Sequence, residues 1–314
     1  MQAFLIIFVS FWLPYSSLAS GNWCYTSQDA SCDWFLSLGP DHWSVNHPDC
    51  GKQKQSPIDI VTKMANHLPS LCSFVFRGYD QIPTKKPMIK NTGHSVQVTL
   101  EETNTISGGG LANTYKALQL HFHWGTTTTP GAEHTIDGTR YPMEMHIVHR
   151  NEKYKNMEEA LNHTDGVAVL GFLFKETKEI NSNYKDIINH LNDVKSNDQK
   201  VSMTPFALKS LLPSDTDLKH YYRYEGSLTT PSCQEAVIWT IFPNPIPLRK
   251  DQLNAFPTSL YFSKESEKPK PMVSNYRPIQ KLNNRVVYTS KGVRPTSAAV
   301  LTVVFVAYLS TSFN

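Results

Sequence analysis

A strand-rich single domain is the fold class that this sequence predicts, and three observations predict it. Six segments alternate apolar and polar residues in the manner of half-buried strands. Helical periodicity is confined to two short stretches. Between roughly residues 21 and 289, no low-complexity linker or charge block divides the chain. Composition agrees: of 314 residues, 40% are apolar and 11% aromatic, with 20 prolines and 15 glycines suited to many turns.

In chain order, the first element is Ala3 to Leu13, an apolar run followed by Pro14 and the small, polar Ser16-Ser17-Leu18-Ala19-Ser20-Gly21. This is the pattern of a secretory signal cleaved after Ala19 or Ser20, which removes residues 1–20 from the fold. The run lacks a preceding Lys or Arg, so an uncleaved anchor is the alternative. Strands are expected at Ser73–Phe76, His94–Leu100, Ala117–Trp124, Met143–Val148, Val167–Phe174 and Glu235–Phe242. Helices are expected at Tyr184–Val194 and Pro205–Leu212. Gly108-Gly109-Gly110 marks a turn between strands. No strand-loop-helix phosphate motif surrounds it.

The chain closes on Ala298 to Leu309, an apolar stretch of twelve residues broken only by Thr302, with no basic cluster after it. A spanning helix needs about 20. Before it, Ser290-Lys291-Gly292 offers small residues at ω and ω+2, followed by the spacer Val293 to Ser297. That arrangement is similar to a GPI-attachment signal, with Ser290 as the attachment site and residues 290–314 as the signal region. A tail that simply trails or docks on the domain is the alternative.

Charge and cysteines narrow the class. The net charge is +3 with the basic residues scattered, which argues against nucleic-acid binding. No repeat of 20 to 50 residues is visible. A secreted chain is expected to form disulfides, and five cysteines leave at least one thiol over. Asn162-His163-Thr164 is the one N-x-S/T sequon, a glycosylation candidate at Asn162.

The chemistry lies in two of the expected strands. In Leu118-Gln119-Leu120-His121-Phe122-His123-Trp124, alternation puts His121 and His123 on one face and the apolar side chains on the other. In Met143-Glu144-Met145-His146-Ile147-Val148, the residues Glu144, His146 and Val148 share a face. If the two strands are neighbours, three imidazoles meet one ion. Three protein nitrogens with an open fourth position is the catalytic zinc arrangement. Gln119 beside His121, and Glu144 beside His146, can accept the far-nitrogen proton and fix each tautomer. The alternative is two half-buried strands whose histidines are merely hydrogen-bonded. No HExxH is present to support a metalloprotease reading.

Several blocks resemble the alpha-class carbonic anhydrases. They are Gln-Leu-His-Phe-His-Trp-Gly at 119–125, Glu133-His134-Thr135-Ile136-Asp137-Gly138, and Glu144-Met145-His146-Ile147-Val148-His149. Gln55-Ser56-Pro57-Ile58-Asp59-Ile60, Asn91-Thr92-Gly93-His94-Ser95, Gly226-Ser227-Leu228-Thr229-Thr230-Pro231 and Asn275-Tyr276-Arg277-Pro278 agree in order and spacing. The resemblance spans roughly 22–285, and the N-terminal Trp23-Cys24-Tyr25 with the anchor signal points to the type IV or type XV branch. It implies an α+β, β-dominated fold, with a large twisted, mostly antiparallel central sheet and short peripheral helices. It also implies reversible hydration of carbon dioxide to bicarbonate.

The site residues follow from the same resemblance. His121, His123 and His146 would bind Zn2+, with Gln119, Glu144 and the Asn275 backbone behind them. Thr229 would orient the attacking oxygen and hand its own proton to Glu133, with Thr230 on the polar side. Val148, Val169, Leu228, Val237 and Trp239 would form the apolar wall for the substrate. His94 would be the proton shuttle, suited by an ordinary pKa of about 6.5, with Tyr25 and Gln97 ordering the water. The family often has Asn at the positions of Thr92 and Gln97. Cys50 would pair with Cys233 and Cys24 with Cys32, leaving Cys72 free. The implied setting is the outer face of the plasma membrane, as a GPI-anchored monomer, with bicarbonate transporters as partners. An acatalytic binding relative is the rival reading, but such proteins typically lose a zinc histidine, and this chain retains all three.

Overall fold

The computed structural model describes residues 23–28 and 39–292. The segments expected to be the N-terminal signal, the C-terminal tail beyond Gly292, and Cys32 lie outside the described residues.

Twelve strands form one sheet. Its spine is β1 (Met88–Asn91), β2 (Val96–Thr99), β3 (Tyr115–Trp124), β4 (Met143–Asn151), β5 (Val167–Thr177), β6 (Lys200–Ser202), β7 (Tyr222–Gly226) and β8 (Val237–Arg249). Across the sheet the order is β6-β1-β2-β3-β4-β5-β8-β7, continued by short strands at Tyr288–Thr289 and Asn66–His67. Most neighbours are antiparallel; β5 with β8 is a parallel pair, as is the terminal pair of short strands. The fold class expected from the sequence is the one observed.

Alternation explains why these segments are strands, and burial explains how far they extend. β4 is buried along all nine residues, and β5 along its first eight. These central strands are covered on both faces. One face carries the main core, including Leu120, Phe122, Met145, Ile147, Phe172 and Phe256. The other carries a smaller cluster around Val148, Val169, Val237 and Trp239.

Three local expectations need correction. The strand placed at His94 begins at Val96, because Asn91–Ser95 closes a turn in which Thr92 N–H donates to Ser95 O at 2.9 Å. The helix placed over Pro205–Leu212 is only a 3-10 turn, Leu208–Leu211. Its N–H groups bond three residues back, Ser210 to Ala207 O at 2.9 Å and Leu212 to Lys209 O at 3.1 Å, and Pro213 holds Leu212 in extended backbone, which stops the turn. Conversely, α2 (Lys250–Ser259) was not expected, since Pro257 and a polar composition hide its pattern. It buries Leu253, Phe256 and Pro257, and the side chain of Gln252 caps its start by accepting from Arg249 N–H. The first expected helix is present as α1 (Lys185–His190), flanked by 3-10 turns. The triple glycine is a turn as expected, with positive φ at all three residues.

His149, on the core face of β4, is fully buried between the Tyr79 hydroxyl and the Ala168 carbonyl. Burial pushes its imidazole down from 6.5 to about 4. The unfolded chain therefore binds a proton there between about pH 6.5 and 4 that the native state refuses. Stability must fall as the pH drops through that window. At 1.36 kcal/mol per unit, the loss approaches about 3 kcal/mol. His149→Gln keeps a hydrogen-bonding group without the titration. Urea unfolding at pH 7.5 and pH 4.5 is expected to show a smaller acid loss in the variant; equal losses would refute this origin.

Candidate metal centre

β3 and β4 run antiparallel with His121 directly opposite His146 and His123 opposite Glu144. Alternation decides which side chains share a face, but only this register makes the three imidazoles meet. Their ring centroids are 5.0, 5.2 and 4.7 Å apart in pairs. One nitrogen from each lies within 4.8 Å of the others.

The outer nitrogens are all committed. His121 Nδ1 donates to Gln119 Oε1 at 2.9 Å, His123 Nδ1 to the Asn275 carbonyl at 2.8 Å, and His146 Nε2 to Glu144 Oε1 at 2.8 Å. Each partner is an oxygen acceptor, so each outer nitrogen carries the proton. The inner nitrogens present lone pairs to a common point. Burial, reinforced for His121 by its two neighbours, holds His121 and His123 below the ordinary imidazole range. His121 and His123 are thus neutral at pH 7, as metal ligation requires.

Two buried atoms have no hydrogen-bond partner and face each other. They are His123 Nε2 and Glu133 Oε2, 3.4 Å apart; the same oxygen is 4.0 Å from His146 Nδ1. A lone pair opposite a carboxylate oxygen is repulsive, and an unpartnered buried polar atom costs about 1–3 kcal/mol. A cation between the imidazoles removes both penalties, so the residues fit a metal ion. A second grouping, His134 with Glu144 and His146, does not. Its atoms are already bonded to one another, with His134 Nδ1 donating to Glu144 Oε1 at 2.7 Å. His134 and Glu144 therefore serve as a brace behind His146.

The other expected site residues are placed as follows. Glu133 is fully buried, its Oε1 accepting from Arg277 N–H at 2.8 Å. Thr229 is buried at 5% exposure. No hydrogen bond joins it to Glu133 among the described residues, since Glu133 Oε2 is turned toward the histidines. Val148, Val169, Val237 and Trp239 pack together, with Leu228 against them. Val148 lies opposite Val169, and Val169 beside Trp239. The Trp239 ring is 4.8 Å from that of His146, which sets this apolar wall against the metal centre. Thr230 O accepts from Cys233 N–H at 2.9 Å. Gln97 sits opposite His121 in register.

His94 departs from expectation. Its ring is stacked on Trp23, with centroids 3.8 Å apart, and its Nδ1 is buried without a partner. Burial pushes its pKa down from 6.5 to about 4. Tyr25 is nearby, 6.3 Å between ring centroids, and burial followed by the Glu133 charge raises its phenol well above 10.0. Cys50 and Cys233 are joined, and Cys72 is free and exposed. Asn162 is exposed. Ser290 is half-buried at the sheet edge, its Oγ donating to Lys219 O at 2.8 Å.

Sequence reasoning missed Arg277. Its guanidinium donates to Gln55 Oε1 at 2.8 Å, Ser56 O at 2.9 Å and Cys50 O at 3.0 Å, while Gln55 Nε2 donates to Cys233 O at 3.2 Å. This buried cation ties the disulfide, the segment before Pro57 and Glu133 into one frame. The blocks Gln55-Ser56-Pro57 and Asn275-Tyr276-Arg277-Pro278 stood out in the sequence, but nothing local said that they touch. Trp23, the platform under His94, was likewise read only as part of an N-terminal motif.

Comparison with known proteins bears on the same residues. The family model for eukaryotic-type carbonic anhydrases matches residues 38–291. The chain is 42% identical to carbonic anhydrase 4 of Oryctolagus cuniculus over 270 residues, covering 86% of this chain and 84% of that protein. It is 40% identical to carbonic anhydrase 15 of Mus musculus over 293 residues, covering 91% and 89%. With carbonic anhydrase 12 of Homo sapiens it shares 40% identity over 260 residues, covering 82% and 72%.

Proposed function

The chain belongs to the eukaryotic-type carbonic anhydrase family and is a carbon dioxide hydratase; from that premise we propose that it works as a zinc enzyme on the outer face of a membrane. The observation that carries the zinc reading is the convergence of three lone-pair nitrogens opposite an unpartnered carboxylate oxygen. Three neutral imidazoles suit zinc's preference for nitrogen donors and leave one position open. Zinc held there would supply a water whose pKa is lowered to about 7, an effect for which carbonic anhydrase is itself the standard example.

The chain's own residues do the rest. Gln119, Asn275 O and Glu144 fix the three tautomers, so no lone pair is lost to rotation. The wall of Val148, Val169, Leu228, Val237 and Trp239 suits a small apolar substrate and excludes competing water. Thr229 and Thr230 lie on the loop that the Cys50–Cys233 disulfide and the Arg277–Gln55 brace hold in place. From there the Thr229 hydroxyl orients the attacking oxygen, once Glu133 turns its Oε2 from the histidines to accept the Thr229 proton. The experiment is a carbon dioxide hydration assay on residues 21–289, before and after zinc chelation. Activity that survives complete metal removal would sink the reading.

His94 is the residue for carrying the product proton outward. While it lies on Trp23, a pKa of about 4 makes it a poor acceptor at pH 7. Its ring must leave Trp23 and regain hydration to take the proton. His94→Ala is expected to slow turnover by about 100-fold in dilute buffer, the low end of the usual range of a general base, and imidazole buffer should restore part of the loss. Unchanged turnover in dilute buffer would reject the role.

The membrane setting rests on the apolar, uncharged ends of the sequence and on Ser290, which is hydrogen-bonded to the domain edge just before the tail. Among the described residues, no helix is long and apolar enough to cross a membrane. We place the domain at 21–289, the lipid on Ser290, and a glycan on exposed Asn162. Phosphatidylinositol-specific phospholipase C is expected to release the enzyme from intact cells; retention after treatment would count against the lipid.

A further inference from the structure

Strand β3 ends at Trp124, and the chain then runs Gly125-Thr126-Thr127-Thr128-Thr129-Pro130-Gly131-Ala132. Four consecutive threonines before a proline and two small residues is an unusual composition for a tight connection. Threonine-rich tracts with proline are the kind of segment that carries O-linked sugars in secreted chains. The fold decides whether such a tract is presented or buried. Here Thr127, Thr128, Thr129 and Pro130 are all exposed.

The loop is also held open at a defined tip. Thr126 Oγ1 accepts from Thr128 N–H at 3.1 Å and from Thr129 N–H at 3.0 Å, a side chain taking the place of a backbone carbonyl in a turn. It contacts the hydroxyl oxygens of Thr128 and Thr129 as well, at 3.2 and 2.8 Å. Thr126, Thr128 and Thr129 are therefore occupied with one another. The hydroxyl of Thr127 has no partner among the described residues and points its chemistry to solvent. The base of the loop is closed by Gly125 and Gly131, where a Cβ would lie 2.0 Å from Thr129 O and 1.8 Å from Gly125 N respectively. No other residue fits there, so the tip stands off a rigid stem.

Beside the loop is a groove of about 240 Å³, walled by the threonines themselves, Arg140, Glu176 and Asn254, with Leu253 and Pro257 of α2 beneath. It offers hydroxyl, amide, carboxylate and guanidinium groups over an apolar floor. That is the mixed surface against which a pyranose packs, with polar edges for its hydroxyls and an apolar patch for its ring face.

We propose that this loop is an O-glycosylation site, with Thr127 as the primary acceptor of an N-acetylhexosamine. The Thr127 Oγ attacks the anomeric carbon of a nucleoside-diphosphate sugar. The new C–O bond forms as the anomeric bond to phosphate breaks, the electron pair departs with the nucleoside diphosphate, and the hydroxyl proton leaves with it. The proposal rests on the secretory reading given above, since the sugar transfer takes place along that route. It is separate from the sequon at Asn162.

The test is intact-mass analysis of the full-length enzyme made in secreting animal cells, after enzymatic removal of N-linked glycans, with peptide fragmentation to place any sugar. The expected result is residual mass in steps of one N-acetylhexosamine or its extensions, on the peptide holding residues 126–129. Thr127→Ala should lose most of that mass with carbon dioxide hydration unchanged, because Thr127 touches nothing in the metal centre. Thr126→Ala, which removes the turn's acceptor, separates presentation from sequence: occupancy should drop or redistribute while Thr127 remains. A secreted enzyme with Cys50 and Cys233 joined and a bare loop overturns the modification alone. A chain retained in the cytosol with both thiols free overturns the secretory reading and the modification together.

Discussion

His146→Ala is expected to remove both the bound metal and the activity. His146 is 1% exposed, contributes one of the three converging lone pairs, and is anchored through Glu144 to His134. Deleting a partner behind a ligand typically costs 10–100-fold in metal affinity. Deleting a ligand itself should cost more than the upper figure, and hydration should fall in step with occupancy. Elemental analysis of the purified variant, paired with the hydration assay, reads both quantities. Full occupancy with full activity would remove His146 from the centre. Glu144→Gln provides the graded companion, with a loss inside the 10–100-fold range, since a neutral acceptor is left behind His146. The pH dependence of metal loss carries a sign as well. Burial keeps His121 and His123 neutral below the ordinary imidazole pKa. Protonation of His121 or His123 should therefore contribute to metal loss only below about pH 6.5.

Thr229→Ala is expected to lower kcat/KM for hydration by about 100-fold or more, in the range for loss of one preorganised hydroxyl or amide donor. The reasoning is geometric. Thr229 is buried on a loop pinned at Cys233 by the disulfide and by Gln55, so its hydroxyl lacks the freedom of a surface threonine. A pinned hydroxyl orients a reacting oxygen without paying for its own ordering during the reaction. Thr229→Ser keeps the hydroxyl and should recover most of the rate, which separates orientation from packing. Stopped-flow hydration with the metal content held equal across the three proteins makes the comparison. An alanine variant within twofold of the parent would show that the attacking oxygen is oriented by something else.

Glu133 bears on both results. Its Oε2 faces His123 at 3.4 Å and has no hydrogen-bond partner, while its Oε1 is held by Arg277 N–H. A cation among the imidazoles would remove the lone-pair repulsion that His123 Nε2 directs at that oxygen. In the proposed reaction the same oxygen turns to accept from Thr229. The Arg277 guanidinium, fixed to Gln55, Ser56 and Cys50, keeps the backbone that holds Glu133 in place.

Much of this enzyme was legible from its residues alone. Period-two alternation put His121 with His123, and Glu144 with His146, and the structure retains both pairings along β3 and β4. Gln119 beside His121 was readable for the same reason. These are local consequences of strand geometry, and a few consecutive side chains settle them. What tertiary structure decided is everything that depends on register and on distant chain segments. His146 opposite His121 is a matter of inter-strand pairing, which a one-residue slip would have undone. The acceptor for His123 is a carbonyl 152 residues away. His94, an ordinary histidine by sequence, is stripped of water by stacking on Trp23, 71 positions earlier. Hydrogen-bond direction along one strand is written in adjacent residues, whereas desolvation and cross-chain contact exist only once the sheet has closed and the loops have settled over it.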